Sequence, residues 1–202
     1  MTDALAQLAD EIRACRACPL WKTSKQAVPG EGTGESGIFF LGEAPGFNED
    51  QQGRPFVGAA GRLLDELLAG IGLDRTKVFI TNVIRHRPPE NRDPLPAEIE
   101  ACDVWSRRHL AALEPKVVVT LGRFAMGKFL PGESISRIHG KPRVAGGVTV
   151  FPMFHPAAAL RSPSLRPAME ADFAALALYL ATSAVPKPEA PKPADQMTLF
   201  SA

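Results

Sequence analysis

Apolar residues in this chain gather into four short runs, each ending abruptly in polar, glycine or proline residues. Ile38-Phe39-Phe40-Leu41 stops at Gly42-Glu43-Ala44-Pro45-Gly46, and Val78-Phe79-Ile80 passes into Thr81-Asn82 within a run reaching Ile84. Val117-Val118-Val119 leads to Leu121-Gly122, and Val148 to Phe154 ends at His155-Pro156. Apolar runs of this length bounded by turn residues read as buried strands. Helical spacing fills the intervals. Leu5, Leu8 and Ile12 predict a first helix; Leu63, Leu64, Leu67, Leu68 and Ile71 predict a second, closed by Gly70 and Gly72. Pro96 opens a helix carrying Ile99, Cys102, Leu110 and Leu113, a short helix spans Arg123 to Leu130, and a last one runs from Pro167 to Thr182 with Phe173, Leu176 and Leu180 on one face.

Strands alternating with helices predict an α/β fold, a parallel sheet with helices on both faces joined by right-handed crossovers. In such a sheet Glu43, Asn82 and His155 converge at the carboxyl edge, where open α/β sheets bind ligands. The stretches 22–37, Gly53 to Gly58 and Arg85 to Pro94 read as loops, the last too basic and proline-rich for a central strand. Residues 1–182 form the domain. From Ser183 onward the chain is Pro, Ala and Lys with little to bury, which predicts a disordered tail over 183–202.

Composition narrows the classes. Of 202 residues, 45% are hydrophobic and 22% charged, ordinary for a soluble globular chain. The net charge of +1 means that any nucleic-acid binding comes from a local patch. The longest apolar stretch, Ala174 to Ala181, is too short to span a bilayer, and no apolar leader is visible, so a cytoplasmic monomer is expected. Cys15-Arg16-Ala17-Cys18 is one pair of an odd set of three cysteines, a pattern that suits metal or redox chemistry better than a disulfide framework.

Singly, the pocket residues have bland readings. Glu43 after a strand suits a solvated loop, Asn82 can bond local backbone, His155 can be structural and Phe56 can be core. Together they carry more. Gly42-Glu43-Ala44-Pro45-Gly46, Gly53-Arg54-Pro55-Phe56-Val57-Gly58, Thr81-Asn82-Val83, Arg87-Pro88-Pro89 and His155-Pro156 resemble, in order and spacing over about residues 10–180, the iron–sulfur (family-four, thermophile-type) uracil-DNA glycosylases.

The resemblance implies a three-layer α/β/α fold around a central four-stranded parallel sheet, and hydrolysis of the bond between uracil and deoxyribose in single- or double-stranded DNA. It implies a uracil site of Gly42, Glu43, Phe56, Asn82 and His155, with Glu43 and His155 as the catalytic pair and backbone N–H groups of the 42–46 loop helping His155. Phe56 offers a face for the flipped base. The Asn82 amide matches uracil and mismatches cytosine. Gly46 stands where related enzymes place a bulky aromatic, which leaves Phe47 as the candidate to exclude the thymine methyl group. Leu160 is the expected wedge into the base stack, with Arg161 and Arg87 on phosphate, and Arg85 and Arg92 reaching the same way. Leu160 has a second reading, as a packing residue at the start of the last helix.

In that family four cysteines hold a [4Fe–4S] cluster. Cys15, Cys18 and Cys102 match three of them and His86 stands at the fourth, a Cys3His set; zinc, or a cluster on three cysteines with His86 nearby, are the alternatives. A histidine here also occurs in relatives that trap uracil-DNA covalently through a second histidine on a basic insert. This chain lacks the insert, which favours turnover, and a non-catalytic DNA-binding module is the remaining alternative. His139, outside both sets, is read as a loop residue or phosphate contact. Gln196-Met197-Thr198-Leu199-Phe200 resembles the peptides that dock repair proteins on the DNA sliding clamp, with Gln196, Leu199 and Phe200 as anchors.

Overall fold

The apolar run Ile38–Gly42 forms β1, the strand from which the sheet is built outward on both sides. The computed structural model describes residues 3–182, and the tail with its predicted clamp peptide lies outside the described residues. Strand β1 pairs in parallel with β2 (Phe79–Asn82) on one side and β3 (Val117–Leu121) on the other. Strand β5 (Val148–Met153) continues the parallel set beside β3.

A fifth strand corrects the expectation of four. Arg143–Ala145 forms β4, antiparallel to β5 at the sheet edge, giving a mixed sheet of order β2-β1-β3-β5-β4. The turn between β4 and β5 is Gly146-Gly147, with φ of 54° and 77°, the left-handed pair that a tight hairpin requires. Strand β4 escapes a hydrophobic reading because it has three residues and an exposed Val144.

Successive side chains of β1 go to opposite faces, and each face has its own core. Phe39 and Leu41 pack with Phe79, Val118 and Val150 beneath α1 (Asp3–Arg13), α4 (Pro96–Leu113) and α5 (Arg123–Gly127). Ile38 and Phe40 pack with Ile80, Val119 and Phe151 against α3 (Ala59–Gly70) and α8 (Arg166–Thr182). Phe40 stacks on Phe173 of α8 at 6.2 Å between ring centroids, and cutting such a buried ring back to Ala costs about 3–5 kcal/mol.

The strand ends set the site. Strand β2 stops at Asn82 rather than Ile84, although the Val83 N–H still donates to the Gly42 carbonyl at 2.9 Å. Three short helices follow the carboxyl ends of parallel strands, α2 (Phe47–Gln52) after β1, α5 after β3 and α7 (Pro156–Arg161) after β5, while α6 (Ile135–Ile138) precedes the hairpin. Leu160 sits on α7, separate from the last helix, and is 49% exposed, which overturns its packing reading. Among the described residues no helix is long and apolar enough to cross a membrane.

Candidate active site

The parallel register sets Gly42 beside Asn82. A Cβ on Gly42 would collide with both Asn82 Oδ1 and the edge of the Phe56 ring, so only a residue without a side chain lets amide and ring meet there. Asn82 is 1% exposed, and among the described residues its Oδ1 has no hydrogen-bond partner. A buried acceptor left unpaired costs about 1–3 kcal/mol, so this oxygen is set for a donor from outside the chain.

Phe56 is held in a conformation it would not choose. Its φ is 52°, in the left-handed region that side chains disfavour, and such strain persists only where the surroundings over-determine it. Glu49 Oε1 accepts the Val57 and Gly58 N–H groups, each at 2.8 Å, just after the ring. Arg75 donates to the Pro55 carbonyl just before it, and is itself tied to Glu31 and Asp65. The Phe56 carbonyl lies against Gly61 of α3, where any Cβ would strike it.

His155 faces the same ring, 5.5 Å from Phe56 between centroids and inclined by 26°. It caps α7, its Nδ1 accepting the Ala157 N–H at 3.1 Å with Pro156 opening the helix. Burial, reinforced by Arg161, pulls its pKa down from 6.5 to about 4, so the ring is neutral at pH 7. With Nδ1 committed as acceptor, the one proton belongs to Nε2. Glu43 lies partly buried after β1. Burial raises its pKa, with Asp93 adding and Arg123 and Arg161 opposing.

These groups line a cavity of about 290 Å³, closed also by Pro45, Ala60, Asn91 and Arg161. That is the small end of the range for ligand pockets, a size for one planar ring. The structure thus brings Glu43, Phe56, Asn82 and His155 onto one cavity, with Gly42 packed behind Asn82 and Phe56. Glu49, which the sequence reading passed over, organises the site. Its Oε2 also accepts the Gly46 N–H at 3.1 Å, so that loop amide, expected to face the ligand, is already committed. The readable signal was a Glu three residues after Gly46, half of a capping box.

Other expectations change. Phe47 is 56% exposed, lies under the Arg87 guanidinium at 5.3 Å and does not line the cavity, so it is no gate for a methyl group. Arg87 is fixed by the side chain of Asn91, a residue of the cavity wall, at 2.7 Å, and Arg161 is exposed and lines the cavity itself. Arg92 lines the cavity with its guanidinium held in two hydrogen bonds to Glu98, at 2.9 and 2.6 Å, whereas Arg85 is fully buried and does not reach for phosphate. His139 Nδ1 bonds Asp172 at 2.9 Å while its ring packs on Phe154, away from the cavity.

The cysteines lie apart from this cavity. Cys15 follows α1, Cys18 caps a short turn at Pro19–Lys22, Cys102 lies in α4, and all three are buried, as is His86. The Cys102 thiol shares a hydrogen bond with Cys18, which lowers the pKa of Cys18 and raises that of Cys102. Trp105 Nε1–H donates to Cys15 Sγ at 3.3 Å, and His86 Nδ1 has no partner among the described residues. Among those residues, no three His, Cys, Asp or Glu side chains close around a single point as one ion requires.

A mixed α/β sheet whose parallel strands hold a ring, a buried amide and a neutral imidazole in one small cavity at their carboxyl edge has the form of an enzyme for a small planar substrate. Comparison with known proteins gives the particular family. Residues 29–180 match the uracil DNA glycosylase superfamily. The type-4 uracil-DNA glycosylase of Sulfurisphaera tokodaii is 47% identical over 85% of this chain and 82% of its own length. That of Archaeoglobus fulgidus is 48% identical over 85% and 90%, and that of Thermotoga maritima 42% over 78% and 83%. This chain belongs to the type-4 uracil-DNA glycosylases.

Proposed function

We propose that this enzyme excises uracil from DNA, as the names of its relatives state for them, and that the cavity at the sheet edge is where it does so. The observation that carries the assignment is the orphaned Asn82 Oδ1 facing the Phe56 ring across Gly42. Flipped uracil lays its plane on Phe56, gives its N3–H to Asn82 Oδ1 and takes the amide N–H at O4. Cytosine offers an acceptor at N3 and a donor at its exocyclic amine, so both bonds would fail.

The C1′–N1 bond breaks with its electrons leaving on the base, and the charge that gathers at O2 meets the His155 Nε2–H. A neutral donor already in place costs no reorganisation as the charge develops. Water adds to the electron-poor C1′ and loses a proton, for which Glu43 is the nearest acceptor; its raised pKa suits a base. The uracil anion then takes a proton from solvent. Leu160, exposed on α7, enters the gap left in the stack, while Arg161 and Arg87 hold phosphates. A single-uracil oligonucleotide tests the reading. Wild type should yield an abasic site, and Asn82→Ala and His155→Ala should each lower the rate by about 10²-fold or more; a wild type that yields none refutes it.

The cysteine centre supports a metal cofactor. Three buried thiols and an unpartnered buried imidazole nitrogen are donors without another task, and Cys15, Cys18, Cys102 and His86 would hold it. Zinc needs all its ligands at about 2.0–2.3 Å from one point. Among the described residues these donors do not close around one point, and a [4Fe–4S] cluster, which gives each iron its own ligand, does not require that of them. Its chemistry there is structural, joining the turn after α1, the loop after β2 and α4. For the tail, removal of residues 196–202 should abolish capture by the sliding clamp and leave excision from short oligonucleotides unchanged; capture that survives refutes the clamp reading.

A further inference from the structure

Among the described residues Arg85 is the largest side chain with no exposed surface, and it is a cation. A buried guanidinium is expected to meet a carboxylate, because the cost of taking its charge out of water is several kcal/mol unless a counter-charge is close. Arg85 meets none. Nη2 reaches only two neutral groups of α4, Ser106 Oγ at 3.4 Å and His109 Nδ1 at 3.3 Å. Its Nε and Nη1 have no partner among the described residues. The carboxylate of the same helix, Asp103, is bound instead to Lys128 and Arg107. An arginine guanidinium keeps its charge at pH 7.

With Asp103, two of the three cysteines are the groups whose charge acts on this cation. Its main-chain N–H donates to Cys102, its charge acts on both Cys102 and Cys15, and it is followed in the chain by His86. Three thiolates on a metal centre carry negative charge that the protein must balance, and hydrogen bonds to cluster sulfurs set both stability and potential. We propose that Arg85 is the counter-charge and hydrogen-bond donor of the metal–thiolate centre, with its free Nε–H and Nη1–H reserved for that anion rather than for DNA. This rests on the cofactor reading above. The arrangement also explains why a basic run in a proline-rich loop turns one arginine inward.

The test uses full-length wild type, Arg85→Met and Arg85→Lys, purified without oxygen in the presence of iron and sulfide. Iron and sulfide content, loss of the visible chromophore to a chelator, reduction potential and far-ultraviolet circular dichroism are measured. Arg85→Met should fold, release iron about 10–100-fold faster, as loss of a group supporting metal ligands does, and shift to a more negative potential. Arg85→Lys keeps the charge but not the planar fork, and should fall between the two. Equal iron retention and equal potential in Arg85→Met overturn the proposal while leaving the cofactor in place. A wild type that takes up no metal overturns the cofactor reading and this one together. Should the Met variant fail to fold, the Lys variant decides, wild-type retention and potential then counting against the proposal.

Discussion

Glu49 and Val57 are joined by a 2.8 Å hydrogen bond, the Val57 N–H donating to Oε1, and the same oxygen takes the Gly58 N–H. With Oε2 on Gly46, one carboxylate ties the loop after β1 to the loop that carries Phe56. Glu49→Ala removes three charge-assisted bonds and should cost about 2–4 kcal/mol in chemical denaturation. Excision should fall by about 10²-fold, because Phe56 loses its imposed backbone and the ring shifts. Glu49→Gln keeps an acceptor on one side only and should lie between. Unchanged kinetics in Glu49→Ala would show that the ring is held by other means.

The acid limb of activity has two sources that can be separated. His155 titrates near 6.5 unfolded and about 4 folded, so the unfolded chain binds the proton first. Its contribution to stability is full above about pH 6.5 and is lost as pH falls through about 4. Protonation also ends the Nδ1 bond to Ala157, uncapping α7. Glu43 has its pKa raised by burial, and its protonated form cannot accept a proton. The pH–rate profile of wild type should therefore decline on the acid side, while Glu43→Gln should run lower throughout and retain only the limb near pH 4. A rate that rises on acidification would mean that charged His155 is the better donor.

Asn82 should govern which base is accepted more than whether DNA binds. Asn82→Ala should leave affinity for uracil-free duplex within about twofold, since phosphate contacts supply most of that binding. Its preference for uracil over cytosine should shrink by orders of magnitude, because discrimination rests on the paired amide. Competitive excision from oligonucleotides with one uracil or one cytosine measures this directly.

Leu160 is a test of duplex cost. Leu160→Ala should slow excision from a uracil–adenine duplex by about 10–100-fold, matching a few kcal/mol of unstacking, and slow single-strand excision much less. Equal losses on both substrates would assign Leu160 to general binding.

The strands and the convergence of Glu43, Asn82 and His155 were legible because each apolar run stops where its strand does, and parallel pairing puts those stops on one edge. Phe56 was legible only through family resemblance, since nothing in Gly53 to Gly58 announces a positive φ at the phenylalanine. What escaped depends on contacts far along the chain. Arg85 reads as a solvated loop residue until α4 is seen packed over it, and Arg92 reads as free until Glu98, six residues on, claims it. Phe47 lies one residue from the cavity wall yet turns outward, because Gly46 ends the loop and α2 begins there. Three-residue β4 had only its double glycine to announce it.

Gly61 has a consequence for anyone seeking a hardier form of this protein. Replacing glycine by alanine inside a helix is the standard stabilising edit, worth roughly 1 kcal/mol. Here the added methyl group would press on the Phe56 carbonyl and unseat the platform on which the base must lie. The helix keeps a flaw so that its neighbour can keep a posture, and heat tolerance has to be sought at other positions.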